Sequence, residues 1–357
     1  MYPQIEINLS AIEENARKVV NLGKSNGVNI AGITKGVCGD TEVAKIMISS
    51  GIKILGDSRI DNIKKMQNAG IKAKYLLIRE PMPSECEDVV KFSDYSINAE
   101  IETLRKLSFW AKKWGKVHKV IIIIDVGDRR EGILPSQLEL FLEKAENIEG
   151  IEIVGVATNV GCFGGVLPTY ENQSLLVEMA RKTEKILKKN LEIISTGGTV
   201  VLQLVQQEKF PEGINQIRVG EAILLGTSTT DDRVIPWLRQ DTFSIKAEVI
   251  EVQRKPSLPE GPRGLSATGH KLHFENRGIR KRAIVALGTQ DVEVHGLQPK
   301  DPEIEVLGGS SDHLVLDVGN SEIDVGDVIS FSLRRPFQYI TMLRAMSSPY
   351  VEKKYVR

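Results

Sequence analysis

Cysteine is scarce in this chain. Its three residues, Cys38, Cys86 and Cys162, are too few and too scattered for a disulfide framework or a cysteine-based zinc site, so the sequence gives no metal ligands and a reducing, cytoplasmic setting is expected. No apolar run approaches the roughly 20 residues that span a bilayer. The opening Met1-Tyr2-Pro3-Gln4 has neither the charged nor the apolar region of a signal peptide. Net charge is also missing. The 47 basic and 47 acidic residues cancel, so no overall field draws the protein to nucleic acid or to an anionic membrane. With these classes set aside, 41% hydrophobic and 26% charged residues describe an ordinary globular protein. At 357 residues it is long enough for a barrel plus an appendage.

What is present is organised around Val28-Asn29-Ile30-Ala31-Gly32-Ile33-Thr34-Lys35, followed by Gly36-Val37-Cys38-Gly39-Asp40. The first part reads as a strand buried on both faces, a near-continuous apolar run that stops on a lysine. Apolar surroundings disfavour the charged form of a lysine and leave a free amine, the form that makes a Schiff base. The plainer alternative is a lysine at a strand end snorkelling to water.

Around that stretch the pattern alternates. Ser10-Ala11-Ile12-Glu13 has capping-box spacing and opens a helix to about Gly23, and Asp40 or Thr41 caps another. Strands are expected at 52–56, 74–78, 95–97, 120–125, 151–158, 192–194 and 216–219, with helices near 59–69, 83–92, 99–113, 136–147, 169–189 and 199–208. Counting the Lys35 strand, this predicts eight βα units and a (β/α)8 TIM barrel over 8–230, whose active site lies at the carboxyl ends of the strands. A doubly wound open sheet is the competing layout, and the lack of Gly-x-Gly-x-x-Gly after the first strand counts against its dinucleotide-binding form. Beyond residue 230 helical periodicity fades. Short β-rich runs at 244–253, 282–286, 303–307, 314–318 and 328–333 predict a C-terminal all-β domain over 231–357, completed by a strand from residues 1–7.

The strand ends bring together Lys35; Asp57-Ser58-Arg59; Asp125 to Gly132; Thr158-Asn159; Ser195 to Thr199; and Arg218-Val219-Gly220-Glu221. Gly197-Gly198-Thr199 opens a helix, and its glycines let backbone N–H groups approach an anion at the positive helix end; Gly220-Glu221 can do the same. Barrels commonly bind phosphate after strands seven and eight. A phosphorylated aldehyde unites the observations, with lysine for the aldehyde and glycine turns for the phosphate.

These stretches, with Ser310-Ser311-Asp312-His313 and Leu343 to Tyr350, resemble the fold type III pyridoxal-phosphate enzymes, the alanine-racemase-like family, and within it the ornithine racemase branch. The resemblance implies pyridoxal 5'-phosphate as cofactor, held by Lys35 as an internal aldimine, with Lys35 later acting as one base. Arg218 matches the arginine that faces the pyridine nitrogen and keeps it unprotonated. Asn159 falls where the family packs a histidine on the ring. Gly198, Thr199, Gly220 and Glu221 would bind phosphate, the last two through backbone amides, and Tyr350 matches a phosphate-contacting tyrosine. Arg130 matches the arginine near the cofactor hydroxyl and the substrate carboxylate. Ser311 and Asp312 align with a substrate-facing loop, which in the family reaches the active site of a second subunit and implies a head-to-tail homodimer.

The implied function is racemisation of a free amino acid, a basic one such as ornithine, by two-base α-proton exchange on an external aldimine. The family's tyrosine base is missing: Gly288-Thr289-Gln290-Asp291 stands where it has Gly-Tyr-Ala-Asp. Asp291 is the expected second catalytic group, with His313, Cys38 and Cys162 as alternatives. The lysine loop is also a residue short, placing Cys38 roughly where the family has a phosphate-binding tyrosine. Asp57, Asp128 and Glu131 are candidates for meeting a distal ammonium. A decarboxylase on this scaffold and a non-catalytic cofactor carrier are the alternatives. The former's relatives carry a cysteine in the β domain, whereas all three cysteines here precede residue 163. The latter are usually the barrel alone. His270, His273 and His295 read as surface residues, and the basic run 277–282 as a solvated face or an entrance for an acidic group.

Overall fold

The structure, a computed structural model, describes residues 1–266, 269 and 271–357; His270 lies outside the described residues. Two compact units are present, Ile12–Arg239 and Met1–Ala11 with Gln240–Arg357.

In the first unit, β2 (Asn29–Ile33), β3 (Ile54–Asp57), β4 (Lys74–Leu77), β5 (Tyr95–Asn98), β6 (His118–Ile123), β7 (Ile151–Ala157), β8 (Ile193–Gly197) and β9 (Gln216–Val219) form a closed barrel in chain order. All pairs are parallel, and β2 closes the ring against β9 at Asn29↔Gln216. Closure excludes the open sheet. The short strands are buried along almost their whole length, as their unbroken apolar runs require. Leu76, Tyr95, Ile97, Ile121, Ile123, Val154, Ala157 and Ile193 pack together as one cluster, so the barrel has a packed core and no pore.

Between the strands run α1 (Leu9–Ser25), α2 (Thr41–Ser49), α3 (Ile60–Asn68), α4 (Cys86–Phe92), α5 (Ile101–Lys113), α6 (Leu138–Ala145), α7 (Tyr170–Leu187), α8 (Leu202–Gln206) and α9 (Glu221–Leu225). Asp40 caps α2 by accepting from the amides of Glu42 and Val43. The first helix corrects the expected start. It begins at Leu9, and Asn8 Oδ1, not Ser10, accepts from the Ala11 amide at 3.1 Å. The lysine strand also stops sooner than expected. β2 ends at Ile33, and Lys35 opens a 3-10 turn, Lys35–Val37, that Cys38 closes in the left-handed region at φ 52°.

The second unit is an eight-stranded, mostly antiparallel sheet. Its long strand β12 (Phe243–Pro256) buries Phe243, Ile245, Ala247 and Val249 in alternation. A short ribbon, β10 (Thr227–Ser228) and β11 (Arg233–Val234), precedes it in the chain. β12 pairs with β13 (Ile279–Ala286), β17 (Val328–Leu333) and the N-terminal strand β1 (Gln4–Asn8). β14 (Leu297–Pro299) extends the sheet beside β17, and β16 (His313–Asp317) with β15 (Glu305–Gly309) extends it beyond β13. β18 (Glu352–Val356) lies parallel to β1. One feature differs from the expected all-β texture, the helix α10 (Gln338–Ser347), and β18 is a strand beyond the expected runs. The exposed basic run is tied to carboxylates on its own unit, Arg277 to Glu275 and Glu305 and Arg280 to Asp317, so it is an ion-paired face.

Candidate active site at the barrel mouth

Each strand of the barrel delivers its polar residues at the same end, and short-range hydrogen bonds hold them there. At the end of β2, Thr34 donates its hydroxyl to Asp57 Oδ2 of β3 at 2.7 Å. Asp57 also accepts from Asn62 Nδ2 (2.9 Å) and the Arg59 amide (3.0 Å). Burial raises its pKa against those bonds. These bonds make Asp57 a brace for the lysine loop. Lys35 itself is half-buried. Burial lowers its pKa, opposed by charge from Cys162, Asp57 and Glu131 and reinforced by Arg130.

On β9, the strand paired with β2, Arg218 is buried. Its Nη1 donates to Ser195 Oγ at 2.7 Å and its Nη2 to the Thr158 carbonyl at 2.6 Å. Burial pushes its pKa down to about 10. Gly197 makes room for it: a Cβ there would lie 2.2 Å from Arg218 Nη2 and 2.6 Å from Asn159 Oδ1. The next residue, Gly198, takes φ 97°, a conformation that strains any L side chain. Gly198 and Gly220 precede the helical turns that begin at Thr199 and Glu221, and neither turn has a side-chain cap. Thr199 Oγ1 accepts from the Ala222 amide at 2.9 Å, which locks the two glycine corners side by side. The Glu221 carboxylate accepts from Thr227 and Thr229.

The third component is the loop from Asp125 to Ile133. It leaves β6 and returns to it, with Asp125 N bonded to Ile133 O and Ile133 N to Ile123 O, both at 3.0 Å. At its tip the Arg130 guanidinium pairs with the Glu131 carboxylate and reaches Cys162 Sγ at 2.6 Å. Asp128 is buried. Burial raises its pKa, but the amides of Phe163, Cys162, Val166 and Gly164 outweigh that and hold the carboxyl below its usual range. Asp128 therefore staples the loop after β7. Of the three acids weighed from sequence, Glu131 alone interacts with both Lys35 and Arg218.

Lys35, Arg130, Asn159, Gly198, Thr199, Arg218, Gly220 and Glu221 thus share one barrel end. Asp291, Ser311, Asp312 and Tyr350 belong to the other unit. There the turn at Gly288 packs so tightly that a Cβ would lie 1.9 Å from the Ser311 carbonyl. Ser311 donates to Asp312 at 2.8 Å, and Gln290 bonds the same carboxylate. Asp291 is buried and accepts from Ser348 Oγ at 2.8 Å, while Tyr350 is 72% exposed. Sequence reasoning missed Glu80, just past β4, which accepts from Asn98 and the Ala99 amide and whose pKa burial pushes up to about 7. A lone glutamate after a strand carries no sequence signal. His273 and His295 are exposed, the latter paired with Glu293. Among the described residues no helix is long and apolar enough to cross a membrane.

The family model for the alanine racemase N-terminal domain matches residues 7–228. The chain belongs to the alanine racemase family. It is 46% identical to a lysine racemase of Thermotoga maritima over 356 residues, covering 99% of each chain, and 39% identical to an ornithine racemase of Acetoanaerobium sticklandii over 357 residues, again 99% of each. An alanine racemase structure from Clostridium difficile superposes with a TM-score of 0.76 at 19% identity, covering 100% of this chain and 96% of that one. A D-threonine aldolase from Filomicrobium marinum superposes at 0.72 and 16% identity, covering 97% and 89%. The scaffold thus serves more than one chemistry, and the side chains of this alanine racemase family member must decide its own.

Proposed function

We propose that this chain racemises a free basic amino acid, using pyridoxal 5'-phosphate joined to Lys35. The observation that carries the reading is the pairing of a half-buried lysine, whose amine burial favours in the neutral form, with a buried arginine and two adjacent glycine corners at one barrel end. The cofactor fits these residues. The helical turns that follow Gly198 and Gly220 have no side-chain cap, which suits a phosphate, and a half-buried lysine and a buried arginine stand at the same barrel end. When bound, the cofactor supplies the electron sink that makes the α-proton acidic.

The chain supplies the rest. The amides at Gly198, Thr199, Gly220 and Glu221 would hold the phosphate, and Asn159 and Arg218 would hold the ring. Arg130 takes the substrate carboxylate, and Lys35 accepts or returns the α-proton on one face. Ser311 and Asp312 act from the β unit as substrate-facing groups, and Tyr350 as a phosphate-facing one, in a head-to-tail homodimer. Exposed Phe163 (76%) and Leu167 (49%), beside the mouth loop, support a covering surface there. The basic substrate is supported by full-length similarity to lysine and ornithine racemases.

The test is loss of optical rotation with L-lysine, L-ornithine and L-alanine, read beside the absorbance of the bound cofactor. Turnover of a basic substrate is expected. A bound cofactor with no turnover of any of the three would contradict the reading.

A further inference from the structure

The tyrosine missing at Thr289 leaves the second proton carrier open, and the barrel itself offers one. Three observations meet at Cys162. First, its backbone is held in place while its side chain stays exposed at the mouth: the loop after β7 is pinned by one buried carboxylate, Asp128, which accepts from the amides of Phe163 (3.0 Å), Val166 (3.3 Å) and Cys162 itself (3.4 Å). Thr230 fastens the other side by donating to the Gly161 carbonyl at 2.6 Å. Second, Sγ accepts from Arg130 Nη1 at 2.6 Å, and the guanidinium is in turn gripped by Glu131. A thiolate formed there is met at once by a fixed cation.

Third, the ring order β2-β3-β4-β5-β6-β7-β8-β9 closes β9 onto β2, so β8 and β9 lie between the strand that delivers Lys35 and the strand that delivers Cys162. β8 and β9 carry Arg218 and the two glycine corners. Lys35 and Cys162 therefore approach that site from its two sides. Asp291, by contrast, is buried and already holds Ser348.

We propose that Cys162 is the second proton carrier, serving the face of the α-carbon that Lys35 does not. This rests on the racemase reading above. In one direction the α-carbon's C–H bond breaks toward the Lys35 amine, which becomes an ammonium. The S–H bond of Cys162 breaks on the opposite face, and its proton forms the new C–H bond, leaving a thiolate beside Arg130. The reverse direction, or proton exchange with water, restores both groups. Nothing is oxidised or reduced.

The experiment compares holoenzymes of the wild type, Cys162→Ser, Cys162→Ala and Asp291→Asn in deuterated water, following both optical rotation and deuterium at the α-carbon of lysine. Losing a positioned proton carrier costs about a hundred- to ten-thousandfold in rate. The expected result is that loss of racemisation in both Cys162 variants, with cofactor absorbance and Tm unchanged. The enantiomer served by Lys35 should still exchange its α-proton for deuterium with retained configuration. Thiol alkylation of the wild type should stop racemisation, and lysine should protect against it. Cys162→Ser racemising within about threefold of wild type would overturn the proposal, as would exchange without inversion in Asp291→Asn instead. If the wild type neither racemises lysine, ornithine or alanine nor exchanges their α-protons, the racemase reading falls and this proposal with it. Active wild type with active Cys162 variants removes this proposal alone.

Discussion

The barrel mouth and the loop pair of the β unit are built in opposite ways. At the mouth, Arg218, Asp57 and Asp128 are buried and each is held by two or more hydrogen bonds. Charge is confined, and pKa values move: Lys35 and Arg218 down, Asp57 up. In the β unit, Ser311, Asp312, His313 and Tyr350 stand at the surface. Burial and fixed geometry suit the proposed task of holding a phosphorylated cofactor in one pose. Exposed side chains on a tight turn suit contact with something that arrives. The difference teaches where to expect loss of chemistry on mutation and where only a change in affinity.

The largest contrast should come from Lys35→Ala, which would remove both the proposed attachment point and the proposed base. Racemisation should fall by about ten-thousandfold or more, with no cofactor band and an unchanged fold by circular dichroism. Next is Gly197→Ala. Its Cβ, 2.2 Å from Arg218 Nη2, must displace a buried guanidinium bonded to Ser195 Oγ and the Thr158 carbonyl. We expect a stability loss of about 1–3 kcal/mol and weakened cofactor binding, measured by thermal melting and cofactor titration. Retained cofactor affinity there would show that the mouth tolerates movement, and would blur the contrast.

A pH dependence follows from His118, buried at the start of β6 and bonded to Ser96 Oγ at 2.9 Å. Burial pushes its pKa from 6.5 down to about 4. Below pH 6.5 the unfolded chain binds a proton that the folded one refuses, so stability should fall as pH drops from 6.5 toward 4. The loss totals about 3 kcal/mol and then levels off. Denaturation midpoints of wild type and His118→Gln across that window check it; parallel curves would contradict it. The smallest effect should come from Asp312→Asn. An exposed carboxylate should change Tm by less than about 1 °C, while KM for a basic amino acid rises several-fold.

Much of the barrel was legible because buried parallel strands write themselves as unbroken apolar runs. The stretch Val120-Ile121-Ile122-Ile123 cannot face water on either side, and it lies in β6. Boundaries slipped where local bonds outweigh hydrophobicity. Asn8 captured a cap expected at Ser10, and Lys35 left its strand because Thr34 turns to Asp57. The helix α10 escaped because it follows a β-rich stretch and is only ten residues long. The strand ends predicted where polar residues gather, but not which of them would be used up by one another. Asp57 and Asp128 look like Glu131 in sequence, yet the first two spend their oxygens on Thr34, Asn62 and backbone amides. No sequence pattern shows that Arg130 and Cys162, 32 residues apart, meet at 2.6 Å.

The measurement that bears most directly on the central claim is borohydride reduction of the protein after incubation with pyridoxal 5'-phosphate, followed by peptide mass mapping. The account predicts a single peptide carrying the cofactor mass, with the label on Lys35, and none in Lys35→Ala. Label on another lysine, or none in the wild type, would contradict it.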